Sequence, residues 1–235
     1  MAAQPAVAAL VLAAGRGERL GQGVAKAFVA LADRTLIERS IRALAASKQI
    51  DRIVPVVAER DRATFASIAA GLADVAELTT AVVGGAERQD SMRAGLASLP
   101  PEIGWVAVHD AARCLVDPSD VARVIDAART TGAAILGAPV HDTLKRVEGG
   151  RIVETPDRRA YWAAQTPQVF RRDWLEAATE AAVAAGRVAT DDAALVEALG
   201  HRVSIVEAHS PNPKITRAED LVTARALLEA ERGEE

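Results

Sequence analysis

Residues 6–20 read AVAALVLAAGRGERL, an unbroken apolar run over Ala6–Ala13 that ends in a turn of glycines and charges. The run is too short to cross a bilayer and no basic segment precedes it, so it reads as a buried strand. The same unit recurs along the chain. Arg52–Ala58 is a second apolar, β-branched run, Leu78–Val83 a third that meets Gly84-Gly85, Trp105–His109 a fourth ending at Asp110, and Ala133–Val140 a fifth. Helical patterns lie between them, over Leu36–Ala46, Asp61–Leu72, Arg88–Leu99 and onward from Asp117-Pro118, where Asp suits an N-cap and Pro the first helical position. Strands that are apolar throughout, instead of alternating, need cover on both faces, and helical crossovers make neighbouring strands parallel.

The expected fold is therefore α/β, a Rossmann-like, mostly parallel sheet with helices on both faces and its ligand over the carboxyl ends of the strands. After residue 140 the pattern changes. Asp142–Val147 and Arg151–Thr155 flank Glu148-Gly149-Gly150 and read as a projecting β-hairpin arm, polar on both faces, at about 139–160. Helices over Asp173–Ala185 and Asp191–Leu199, a strand His201–Val206 and a last helix Arg217–Glu231 follow. No repeat or linker divides the chain, so residues 1–235 are expected to form a single domain.

Composition narrows the function. Of 235 residues, 28 are basic and 32 acidic, a net charge of −4 that draws the molecule to neither nucleic acid nor a membrane surface. The single cysteine, Cys114, excludes an internal disulfide framework and a Cys-based zinc site, and a reduced, cytoplasmic protein is expected. The four histidines lack metal-ligand spacing, no Ser-His-Asp arrangement stands out, and no residue is assigned as a protein metal ligand. With 52 alanines and 3% aromatics, the core must be built from Ala, Val, Leu and Ile. Against 24 arginines there are four lysines, Lys26, Lys48, Lys145 and Lys214, so a lysine hints at a wanted point charge.

Four segments could carry chemistry. LAAGRGERL, directly after the first strand, brings backbone N–H groups close to any anion. It is not the dinucleotide fingerprint, since Leu20 replaces the third glycine, nor a P-loop, since Lys26 lies between Ala25 and Ala27. What remains is a glycine turn with Arg19 and Lys26 seven residues apart, suited to a triphosphate, or else a tight turn with solvated cations. In HDAAR, residues 109–113, Asp110 ends a strand where a metal or hydroxylated substrate can reach it, with Arg113 for a phosphate. A helix cap with a local Asp110–Arg113 ion pair is the alternative, and His109 reads as a packed strand residue. GGAERQDS, residues 84–91, offers backbone to a planar base and the Ser91 hydroxyl for one hydrogen bond, or simply starts a helix. In NPKIT, residues 212–216, Thr216 and Glu219 form a capping box, yet Lys214 before a helix N-terminus is misplaced unless an anion sits there. Thr143 and Arg158 are polar groups at the two ends of the hairpin. A cationic, glycine-rich inventory without a covalent nucleophile suits phosphoryl or nucleotidyl transfer.

Taken in order, LAAGRGERL with Lys26, GGAERQDS, VHDAAR, APVHDTLKR, TPDR, QTPQVF, TDDAALVE and NPKIT resemble the 2-C-methyl-D-erythritol 4-phosphate cytidylyltransferases of the non-mevalonate isoprenoid pathway, over about Ala6–Leu228. The first motif alone marks the wider nucleotidyltransferase class. The ordered set is specific to this family and to the similar ribitol-5-phosphate cytidylyltransferases. The resemblance implies transfer of the cytidylyl group of CTP to methylerythritol phosphate. Ribitol phosphate as acceptor, or a nucleotide-binding protein without turnover, are the alternatives. It implies that Ala13, Ala14, Gly15, Gly17, Gly85 and Ser91 surround CTP, and that Arg19 and Lys26 stabilise charge on the α-phosphate. Asp110, Arg113, Thr143, Arg158 and Lys214 would hold the acceptor, with Arg158 and Lys214 orienting its phosphate. It further implies Mg²⁺ bound with CTP and a homodimer whose arms cross, so that Thr143 and Arg158 serve the partner's pocket. Ala25 and Cys114 stand where the family usually has proline, which is expected to loosen two backbone segments without removing a charge. Some relatives carry a downstream cyclodiphosphate synthase, which a chain ending at Glu235 is expected to lack.

Overall fold

The computed structural model describes residues 5–15 and 24–233. The first half holds β1 (Ala6–Leu12), β2 (Ala30–Leu31), β3 (Arg34–Thr35), α1 (Leu36–Ala46), β4 (Arg52–Val57), α2 (Arg62–Ala69), β5 (Val82–Val83), α3 (Arg88–Ala97) and β6 (Ile103–Asp110). The second holds α4 (Pro118–Thr131), β7 (Ala133–Pro139), β8 (Arg146–Glu148), β9 (Arg151–Glu154), β10 (Trp162–Arg171), α5 (Arg172–Ala184), α6 (Asp192–Glu197), β11 (Ser204–Glu207) and α7 (Ala218–Gly233).

Seven strands form one sheet in the order β11-β7-β10-β6-β1-β4-β5. All neighbours run parallel except β10, which is antiparallel to both β6 and β7. The residues of β1 show why its run is apolar throughout. Val7, Ala9 and Val11 pack on one face with Ile37 and Ile41 of α1 and Val124 of α4. Ala8, Leu10 and Leu12 pack on the other with Met92 of α3 and Leu175 of α5. Each buried Val or Leu contributes about 1.5–3 kcal/mol, so neither face can be given up to solvent.

Two expectations need correction, and one stretch had no element assigned to it. Residues 162–171 form β10 although Gln165, Thr166, Pro167 and Gln168 put polar groups and a proline inside it. Its pairing with β7 shifts register between Ala164 and Gln168, and the buried polar side chains find partners across the sheet, as shown below. The strand expected over Leu78–Val83 shrinks to β5. Only an isolated Ile53–Leu78 bridge precedes it, and Pro55 of β4, lacking an N–H, lies between bridge and strand. The arm, β8 with β9, is a separate two-stranded sheet exposed at every residue. It is not polar on both faces, because Val147, Ile152 and Val153 stand in solvent.

The cap of α7 is also displaced. Asp220, not Glu219, accepts from the Thr216 hydroxyl at 2.8 Å and from the N–H groups of Thr216 and Arg217 at 2.6 and 2.8 Å. Among the described residues, no helix is long and apolar enough to cross a membrane.

Candidate active site

Four chain segments meet at the carboxyl ends of the parallel strands β1 and β6. Ala13, Ala14 and Gly15 leave β1, and the Ala13 N–H donates to the Val56 carbonyl of β4 at 2.8 Å. Asp110 ends β6, and Ala111 is tied back to Leu12 by a 3.1 Å backbone bond. Gly84-Gly85 opens the way from β5 into α3. A Cβ on Gly84 would meet the Ala14 Cβ at 2.6 Å and one on Gly85 the Asp90 Cβ at 2.3 Å, so the backbones approach as only glycine permits. The segment carrying Lys214 is held by the Ile215 N–H, which donates to the Ala112 carbonyl at 2.8 Å.

The cleft they enclose measures about 310 Å³ and is lined by Ala13, Ala14, Gly15, Lys26, Gly85, Ser91, Asp110 and Lys214, together with Arg88. Eight of the residues singled out in the sequence thus converge, from segments as far apart as residues 13 and 214. Gly17 and Arg19 lie outside the described residues. Lys26 opens a short 3₁₀ turn, Lys26–Phe28, anchored by buried Ala27 and Phe28. Ala25 before it holds φ −62°, the value a proline ring fixes, with an extended ψ of 140°, so the turn keeps its course without the ring. Cys114, at the other departure, is buried, and burial raises its thiol to about 11, so it serves as a small apolar residue.

Three predicted residues lie elsewhere. Arg113 does not line the cleft and makes no pair with Asp110. Its guanidinium donates to the carbonyls of Asn212 at 2.8 Å and Ala164 at 3.2 Å, bracing the Lys214 segment against β10. Thr143 and Arg158 sit in solvent at the base of the arm, where Arg158 donates to the His141 carbonyl.

The charges in the cleft form a chain. Lys214 Nζ donates to Asp110 Oδ2 at 2.6 Å, Arg88 Nε donates to Asp110 Oδ1 at 3.1 Å, and Arg88 Nη2 donates to Asp192 Oδ2 at 2.7 Å. Burial opposes ionisation of Asp110, yet Arg88 and Lys214 outweigh it and hold the carboxyl well below the usual carboxylate range. Asp110 is therefore a fixed acceptor for hydroxyl groups or a cation, not a proton acceptor in turnover. It is also the anion that Lys214 needed beside a helix start. A divalent ion arriving on a triphosphate fits this donor set, since Mg²⁺ takes one or two carboxylates plus phosphate oxygens and keeps its remaining waters. Among the described residues no group of three His, Cys, Asp or Glu could hold a metal without such a ligand.

His109 is structural, as expected. It is completely buried and burial lowers its pKa to about 4, so the ring is neutral. Nε2 faces the Arg113 carbonyl at 3.2 Å and must carry the proton, which leaves Nδ1 to accept from the Thr166 hydroxyl at 3.1 Å. Thr166 Oγ1 in turn accepts from the Asp110 N–H at 3.1 Å. Below pH 6.5 the unfolded chain binds a proton at His109 that the folded chain refuses down to about 4, so stability falls as pH falls through that window. Urea unfolding should show about 3 kcal/mol less stability at pH 4 than at pH 7 from this residue. His109→Gln should lack that part of the slope. An unchanged slope in the variant would contradict the assignment.

The arrangement is a nucleotide-sized, cation-lined cleft at the strand ends, and the family model for 2-C-methyl-D-erythritol 4-phosphate cytidylyltransferase matches residues 7–230. The chain belongs to this family. The 2-C-methyl-D-erythritol 4-phosphate cytidylyltransferase of Pelotomaculum thermopropionicum is 41% identical over 228 residues, 97% of this chain and 96% of the relative. The solved 4-diphosphocytidyl-2C-methyl-D-erythritol synthase of Anaerococcus prevotii matches with a TM-score of 0.84 and 27% identity, covering 95% of this chain and 98% of the other. The 2-C-methyl-D-erythritol 4-phosphate cytidylyltransferase structure from Thermus thermophilus matches with a TM-score of 0.76 and 35% identity over 95% and 99%.

In this cytidylyltransferase-family chain, Arg88 lines the cleft and its buried partner Asp192 lies behind it, and neither was singled out from the sequence. Both stood inside quoted motifs, GGAERQDS and TDDAALVE, but nothing in either string says that the two meet. A larger depression of about 810 Å³ lies at the opposite end of β6, around Trp105, Arg129 and Trp174. Its Arg171 and Arg172 are committed to Asp173 and Glu176, and none of the quoted motifs supplies the charges there.

Proposed function

We propose that this chain transfers the cytidylyl group of CTP to 2-C-methyl-D-erythritol 4-phosphate, in the supply of isoprenoid precursors. An acceptor phosphate oxygen forms a bond to the α-phosphorus of CTP. The bond from that phosphorus to the β-phosphate bridge breaks, and pyrophosphate leaves with the electron pair. The acceptor monoester is already anionic near neutral pH, so no general base is required. The physical difficulty is to bring two polyanions together. The observation that carries the reading is the meeting of Lys26, Asp110 and Lys214 with two glycine turns in one cleft.

In this reading the backbone at Ala13, Ala14, Gly15 and Gly85, with Ser91, receives the nucleotide, and Gly17 joins them as part of the same sequence motif. Lys26, with Arg19, stabilises charge at the α-phosphate, and Lys214 orients the acceptor phosphate. Asp110 accepts substrate hydroxyls and is the residue that would hold Mg²⁺, which when bound neutralises triphosphate charge. The assay that tests the reading follows pyrophosphate release from CTP with methylerythritol phosphate and ribitol 5-phosphate in parallel. Release with the first is expected. Release with ribitol 5-phosphate alone, or with neither, would contradict it.

The reading extends to a cytoplasmic homodimer. Its support is the exposed apolar arm, Val147, Ile152 and Val153, and the fact that Thr143 and Arg158 do not line the cleft of their own chain. Each arm would bring Thr143 and Arg158 to the partner's acceptor phosphate. Arg158→Ala should then raise the KM for the acceptor roughly tenfold to a hundredfold, the loss of one charge-assisted hydrogen bond, and leave that for CTP unchanged. Equal losses for both substrates, or a monomer mass by light scattering, would remove the shared site.

A further inference from the structure

Asp192 is 1% exposed, and it does not line the cleft. Burying a carboxylate is costly unless it is paired, so what it pairs with matters. Its position is set from two sides. Gln168 of β10 accepts from the N–H groups of Asp192 and Ala193 at 3.1 and 3.0 Å, and its amide donates to Asp191 at 2.9 Å. Asp191 caps α6 by accepting from the Ala194 N–H at 3.0 Å. The carboxylate so fixed holds one edge of the Arg88 guanidinium, and the other edge holds Asp110. A guanidinium is a rigid plane, so fixing Nη2 also fixes the direction of Nε. Without Asp192, Arg88 keeps one anchor on a long, rotatable side chain, and Asp110 Oδ1 is left with a partner that is itself no longer fixed.

We propose that Asp192 is a positioning residue for the transfer reaction, acting through Arg88 to aim the free lone pairs of Asp110 at the substrates. The proposal rests on the cytidylyl-transfer reading above. It gives a task to a buried charge that touches no substrate, and to the strand-to-helix contact at Gln168 that keeps it in place.

The test is a pair of double-mutant cycles read as kcat/KM for pyrophosphate release from CTP and methylerythritol phosphate. Asp192→Asn keeps the shape and an acceptor oxygen but removes the charge. It is expected to lose about tenfold to a hundredfold, as small misplacements of reacting groups do. Combined with Asp110→Asn it should cost little more than Asp110→Asn alone, because the two act along one path. Combined with Lys26→Ala, a residue that the proposed reading assigns to the α-phosphate and not to Asp110, its loss should multiply in full. Additive losses with Asp110→Asn, or equal coupling to both partners, would overturn the proposal, since general loosening of the fold acts on both alike. If Asp192→Asn unfolds, Arg88→Lys enters the same cycles with the same expectations, because an ammonium keeps the charge but not the planar bridge. A wild-type protein that turns over neither substrate overturns the functional reading itself. An active wild type with additive losses overturns only the role of Asp192.

Discussion

Lys26→Ala is expected to lower kcat by about 10²–10³, the loss of one preorganised electrostatic donor, while the affinity for CTP changes far less. The ammonium sits on a turn whose next two residues are buried, so it is held in the cleft before any ligand arrives. A charge fixed in advance does most where charge grows, which in this reaction is at the α-phosphorus and the departing pyrophosphate. Ground-state CTP, already bound along glycine backbone, gains less from it. Arg19→Ala should behave similarly, because the proposed reading gives Arg19 the same role at the α-phosphate. Steady-state kinetics with a separate measurement of CTP binding checks both, and near-normal turnover would take the residue out of the mechanism.

Arg88→Met should cost about 3–5 kcal/mol of folding stability at pH 7, because it leaves the buried Asp192 carboxylate without its cation. In a chain of this size that is a fall of roughly 10 °C in Tm. The loss should depend on pH in a definite direction. Burial already raises the Asp192 pKa despite the pull of Arg88, and removing Arg88 raises it further. The folded variant then binds a proton that the unfolded chain does not, so acidification favours its folded form relative to wild type. The stability gap between the two proteins should narrow from pH 7 to pH 5 in chemical denaturation. A gap that stays constant or widens would mean that Asp192 is not the group left exposed to the loss.

How much could be read in advance follows from how local each signal is. The run Ala6–Ala13 announces a strand covered on both faces because every side chain in it is apolar, and β1 is that strand. Turns of glycine at strand ends mark the cleft for the same reason, since close backbone approach has few residue solutions. The polar middle of β10 hid a central strand, because Thr166 and Gln168 look solvent-facing until His109, Asp110 and the start of α6 supply their partners. Arg113 misled in the opposite way. A guanidinium three residues after a strand-end aspartate looks available, yet two backbone carbonyls claim it. Arg88 was invisible because its meaning depends on Asp192, 104 positions away.

The reversed strand has a further consequence during synthesis. β6 is complete at residue 110, but the neighbour that closes its open edge is β10, and among the described residues β7 pairs only with β10 and β11. A nascent chain that has emerged only as far as the arm therefore exposes an unsatisfied edge in what will become the middle of the sheet. The ribosome must deliver residues 162–171 before the two halves can join, and a protein stalled short of that point offers other chains a ready template for aggregation.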